Sequence, residues 1–319
     1  MAKKFPRKEI YVYTSRIPLS EGKVIALKDR EFSIEEQLRE YSEKRWEQDN
    51  KGWTSSVIPT VMEVEHDENS MVLHCGVTEY KYLLGMVKFT DEKKETGLVE
   101  TIHGLSTEIM PLTPENVFPL ERRAKSTTQH GVGFYDIPNA GQNAQMWIDK
   151  LPAEHSKLVN GLFDMFGFPK WSLMRNLGLK QEEIGNIFYT GFSRGFEVSL
   201  DSQFNGYARI NPEASEVSKR KENSEKLFLF YRLEDLPAVL DSIGNDGKNK
   251  RIKEDIFGNV PQPTEDGFRI IDDCLGTLLS NTLHLKGERN YRQALEVLMG
   301  RGYLINEING TSTNLSGLN

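Results

Sequence analysis

The residues best suited to ligand chemistry lie between Leu105 and Glu216, and they are cations and amides. Arg122 and Arg123 directly follow Val117–Glu121, an apolar run with one acid at its end. A guanidinium is planar, always charged, and carries donors in a fork that matches phosphate oxygens. The pair therefore suits a phosphate-bearing ligand, and equally a solvated strand end. Asn139, Gln142, Asn143 and Gln145 crowd one polar stretch. Side-chain amides both donate and accept, so they fit sugar hydroxyls or base edges without a metal; ordinary surface turn chemistry is the competing reading. The six histidines, His66, His74, His103, His130, His155 and His284, show no metal spacing. His74 and Cys75 are neighbours, so in a strand they point to opposite faces and make no dyad. No nucleophile elbow and no Walker loop is present.

The elements that must position these residues follow from pattern. Ile10–Thr14, Lys23–Leu27, Ser56–Val64, Met71–Cys75 and Lys81–Phe89 have the short apolar or β-branched runs of strands. Ser33 with Glu36 three residues later forms a capping-box pattern ahead of a helix to Trp46. Leu105–Pro111 and Val117–Leu120 read as strands flanking a turn at Pro114-Glu115-Asn116, and Phe204–Ile210 as a further strand. Gly131–Pro138 reads as a hairpin or a ligand loop. Leu158, Val159, Leu162, Phe163 and Phe166 give the apolar face of a helix opened after Pro152 and closed at Gly167 and Pro169. Phe268, Ile271, Leu275, Leu278, Leu279 and Thr282 form a helical stripe, repeated by Tyr291, Ala294, Leu295 and Leu298. Asp272 and Asp273 are expected on the exposed side of the first of these helices.

The order of these pieces resembles the Nudix hydrolase superfamily: an apolar strand, two arginines, the Gly131–Pro138 segment, and a helix closed by Leu177-Gly178-Leu179. Downstream, Gln181–Ile184, Tyr189–Ser193, Phe204–Ile210, Glu213–Val217 and Phe228–Leu240 continue the resemblance, which covers about a third of the chain. It implies an α/β fold: a Nudix-like α/β/α sandwich with a mixed sheet over residues 99–240. An N-terminal strand-and-helix extension (1–98) and a C-terminal helical appendage (241–319) would flank it.

The family's active members carry a set of glutamates on that helix, which hold Mg²⁺ against a diphosphate. Anchored on Gly178, this chain has Trp171-Ser172 where Arg-Glu is wanted and Arg175-Asn176 in place of the Glu pair. The interval from Gly141 to Gly178 is also longer than in the family, as if a helix had been inserted. The resemblance thus implies a protein that binds a nucleotide- or sugar-diphosphate-like ligand through Arg122, Arg123, Asn139, Gln142 and Arg175, with no metal and no standard Nudix hydrolysis. The alternative is a Mg²⁺-dependent phosphohydrolase using relocated carboxylates, among Glu154, Asp164, Glu182, Glu183, Glu213 and Glu216. Dimers are common on this fold, so a homodimer is a further expectation.

Composition bounds the rest. With 319 residues, 38% hydrophobic and 10% aromatic, the chain can bury a sizeable core. A net charge of −7 argues against broad phosphate-backbone binding, so a nucleic-acid partner is not expected. The two cysteines, Cys75 and Cys274, are far apart and read as buried free thiols of a reducing compartment. No leader-like or membrane-length apolar run occurs, and the expectation is a cytoplasmic protein without a membrane partner.

Overall fold

The computed structural model describes residues 8–49, 55, 57–92, 102–123, 133–138, 140–142, 162–195, 202–221, 227–248, 250–309 and 311–314. The chain is a mixed α/β protein built on three sheets. The central sheet has six strands in the order β13 (Leu304–Glu307), β1 (Glu9–Leu19), β10 (Ile184–Gly195), β11 (Ser202–Ile210), β5 (Leu105–Leu112) and β8 (Ala140–Gln142). It is mixed: β13 runs parallel to β1 and β11 parallel to β5, while the other pairs are antiparallel. Strands from all three expected blocks share this sheet.

A small antiparallel sheet joins β12 (Phe228–Arg232), β6 (Val117–Arg122) and β7 (Tyr135–Asp136). The third sheet runs β14 (Ser312–Asn314), β3 (Val57–His66), β4 (Met71–Glu79), β2 (Val24–Lys28) and β9 (Leu162–Phe163). Seven helices occur among the described residues: α1 (Glu36–Asp49), α2 (Tyr80–Glu92), α3 (Gly167–Leu177), α4 (Ala214–Lys221), α5 (Leu236–Asp241), α6 (Asp272–Lys286) and α7 (Glu288–Gly300).

Both faces of the central sheet are covered, which is why β5 and nearly all of β11 are buried. On one face, Ile10, Val12, Met110, Leu112 and Tyr207 pack with Leu275, Leu278 and Leu279 of α6 and with Tyr291 and Leu298 of α7. On the other, Leu105, Ile109, Phe192, Phe204 and Ala208 meet Leu173 and Leu177 of α3, and Val64, Met71 and Leu73 of the third sheet. Leu38, Ile58, Leu83, Met86 and Ile102 form a satellite core under α1 and α2.

Local sequence explains the connections near the site. The turn from β5 to β6 closes through Thr113 and Asn116: the Asn116 amide donates to the Thr113 carbonyl, and Asn116 itself takes φ 61°. Asparagine tolerates that left-handed conformation better than most residues. Helix α3 starts with Pro169 in its first turn, where its missing N–H costs nothing, and ends at Gly178 with φ 67°.

Several expectations are corrected. Lys81–Phe89 belongs to helix α2: Leu83 and Met86, three residues apart, bury one helical face against α1. Helix α1 begins at Glu36, so Ser33 does not cap it. Gly167 and Pro169 open helix α3, and Leu162–Phe163 before them pairs with β2 as a strand. The remainder of the expected inserted helix lies outside the described residues. Asp272 and Asp273 are buried, at 0% and 2% exposure, because α6 is enclosed between the sheet and α7 from Asp272 through Thr282.

Candidate functional site

The polar groups that converge in this protein do so beneath α6, at one end of the central sheet. Glu108 lies in β5 between Ser106-Thr107 and Ile109-Met110, and strand alternation turns it toward the helix. Its Oε2 lies 2.7 Å from Thr277 Oγ1 on α6, and that hydroxyl lies 2.8 Å from Asn205 Oδ1 on β11. A hydroxyl has one proton for these two acceptors. The second contact takes its proton from a carboxylic acid at Glu108, or from Asn205 turned to present its amide nitrogen. Asn205 in turn bonds Ser193 on β10, and Asn281 Nδ2 donates to the Gly206 carbonyl.

Two glycines bring α6 this close. A Cβ at Gly276 would overlap the Ser193 side chain, and one at Gly195 would overlap the Asp272 carboxylate. The Gly195 amide donates to Asp273 Oδ1, 3.1 Å away.

Asp136, on β7, reaches the same place. Arg123, just past β6, clamps its Oδ2 from Nε at 3.1 Å and Nη2 at 2.7 Å, and the Ile137 amide donates to Oδ1 at 2.9 Å. One ligand atom each from Glu108, Asp136 and Cys274 lie within 4.8 Å of one another, and all three residues are buried. Burial, then the charge of Asp136, pushes the Glu108 carboxyl well above its usual range. Burial, then Glu108 and Asp136, pushes the Cys274 thiol up as well. Burial works against the Arg123 charge, but Asp136, Asp273 and Glu108 more than offset it, so the guanidinium stays charged.

The expected ligand residues are placed as follows. Arg122 pairs with Tyr135 in the small sheet, and its Nη1 donates to Gln262 Oε1 at 3.1 Å. Arg123 is committed to Asp136 and orders the 133–138 segment: its amide donates to Phe134, and its carbonyl accepts from Gly133. Arg175 lies on the exposed face of α3 with its guanidinium 5.4 Å over the Trp171 ring. Asn139, Asn143, Gln145 and Glu154 lie outside the described residues. Gln142 is described only as backbone, pairing with Ser106. Ala140 pairs with Glu108, and Asn176 of α3 donates to the Pro138 carbonyl.

The carboxylates named as possible replacements for the family's glutamates are dispersed. Glu183 and Glu216 both grip Arg220, which holds the Glu183 carboxyl down at about 2. Asp164 accepts from the Phe166 and Gly167 amides at the start of α3. Glu182 and Glu213 are at or near the surface. A cavity of about 460 Å³ lies elsewhere, lined by Phe32, Ile34, Arg39, Val77 and Tyr82 beside α1 and α2.

Glu108 carries one local signal, an acid within a strand, while nothing in the sequence singles out Cys274 or Asp136. No family model and no curated protein matches the chain. No helix among the described residues is long and apolar enough to cross a membrane.

Proposed function

We propose that this is a Nudix-like protein that binds a nucleotide- or sugar-diphosphate-like ligand without the family's metal-dependent hydrolysis. The observation that carries the reading is helix α3, Gly167–Leu177, which ends on a left-handed Gly178 and has no acid anywhere along its length. A hard divalent cation needs oxygen ligands there, and the helix offers Trp171, Ser172, Arg175 and Asn176. Ser172 is buried and bonds Asn176, so both are structural. Arg175 is the exposed cation at the position of a ligating glutamate, and it meets ligand phosphate in place of a metal.

Because Asp136 compensates Arg123, that residue shapes the 133–138 turn while Arg122 and Arg175 contact phosphate. The dispersal of Asp164, Glu183 and Glu216 into caps and ion pairs favours this reading over a hydrolase built from those acids.

The test is calorimetry with ADP-ribose and a nucleoside diphosphate sugar in the presence of EDTA, alongside product analysis with Mg²⁺. Binding is expected without metal, with affinity reduced about tenfold or more in Arg175→Glu, since a charge-assisted contact is exchanged for repulsion. Release of phosphate or a nucleoside monophosphate with Mg²⁺, or the absence of binding to either compound, overturns the reading.

A further inference from the structure

The cluster under α6 brings two carboxyls and a thiol together in a buried place: one ligand atom each from Glu108, Asp136 and Cys274 lie within 4.8 Å of one another. Arg123 clamps Asp136 through Oδ2. A second observation points to a ligand. Among the described residues, the hydroxyl of Ser106 (1% exposed), Oε1 of Gln203 (5% exposed) and Oε1 of Glu108 have no hydrogen-bond partner. Ser106 and Gln203 are cross-strand partners, and by strand alternation they share the face of Glu108 and Asn205. Native proteins satisfy nearly all buried polar atoms, so a group of orphans on one face marks a place for something else.

We propose that Glu108, Asp136 and Cys274 form a buried divalent-cation site that takes zinc, or cobalt(II) in its place. One sulfur and two carboxylate oxygens, mutually within 4.8 Å, form the mixed donor set that zinc accepts with four-fold coordination. The three ligands come from β5, β7 and α6, so the ion would tie the central sheet, the small sheet and the helix together. Arg123 holds Asp136 through Oδ2 and leaves Oδ1 with one backbone donor, the arrangement of an outer group that orients a ligand. As the metal binds, the thiol proton of Cys274 and the proton held on Glu108 pass to solvent buffer, leaving a thiolate and two carboxylates as ligands. The fourth position falls to water, for which Ser106 Oγ and Gln203 Oε1 are the waiting partners. This site is independent of the ligand-binding reading above, which concerns α3 and Arg122.

The experiment uses the full chain, stripped with chelator and titrated with Co²⁺ and then Zn²⁺. The expected result is one equivalent bound, with a thiolate-to-cobalt charge-transfer band in the near ultraviolet that Zn²⁺ abolishes. Saturating Zn²⁺ should also raise the melting midpoint by about 3 °C or more. Cys274→Ser loses the band, Cys75→Ser keeps it, and Glu108→Gln weakens binding about tenfold or more. Should the wild-type chain show neither band nor melting shift, the proposal is wrong. A band that survives Cys274→Ser and disappears in Cys75→Ser also overturns it.

Discussion

His66 shows what burial does to a titratable side chain here. Its ring centroid sits 3.9 Å from that of Tyr13, its Nε2 shares a 3.0 Å hydrogen bond with Thr313 Oγ1, and only 3% of the residue is exposed. Burial lowers its pKa, and the nearby Asp67 charge only partly opposes that. A histidine whose folded pKa is depressed contributes stability above its unfolded pKa, near 6.5, and loses it as pH falls toward the folded value. Urea midpoints measured at pH 7.5 and pH 5 should therefore drop in the wild-type chain and drop less in His66→Phe. The variant keeps an aromatic ring against Tyr13 and forfeits the Thr313 bond, at about 1 kcal/mol at pH 7.5. Equal acid losses in both proteins would show that another group titrates.

Helix α6 is the element on which the architecture turns, and it shows how much the sequence discloses. Its apolar stripe, Leu275, Leu278 and Leu279, is legible from spacing and packs as that spacing requires. Its polar side is not legible in the same way. Asp272, Asp273, Thr277 and Asn281 have the composition of a solvated face, yet they are buried because the opposing strands supply Gly195, Glu108, Asn205 and Gly206 as partners. Periodicity fixes which residues share a side of a helix, while the identity of the neighbour decides whether that side is wet. The strands β5, β6 and β11 and the Gly178 stop of α3 were readable from sequence because each is local. Helix α2 is not legible in the same way, because Lys81–Phe89 is apolar enough for either period. The Glu108–Asp136–Cys274 convergence depends on three segments far apart in the chain and was invisible.

The close seat of α6 gives a prediction at this scale. Gly276→Ala puts a methyl group into Ser193, and overpacking of this kind costs about 2 kcal/mol. The paired change Gly276→Ala with Ser193→Gly should recover much of that loss in chemical denaturation, and a double variant no better than the single would refute the contact as its cause.

Over the whole molecule, the carboxy-terminal strands serve two sheets. β13 adds to β1 at the edge of the central sheet, and β14 adds to β3 in the third. Tyr291 reaches across from α7 to bond Glu307. Removing Leu304–Asn319 should lower the unfolding midpoint and expose β1 as a bare edge, with self-association visible by light scattering. A truncated chain that remains as stable and as monodisperse as the parent would place these strands outside the cooperative unit.

The same pairing governs the order of assembly. The Lys8 ammonium donates to the Arg301 carbonyl across 293 residues, and Leu304 binds the Lys8 carbonyl beside it. Contacts so distant along the chain close late and slowly. On the ribosome, β1 must wait with its outer hydrogen-bonding groups unanswered until the partner strand has left the exit tunnel. A circular permutant that joins the two regions through a short linker would make those neighbours adjacent from the start, and it should refold faster than the natural order.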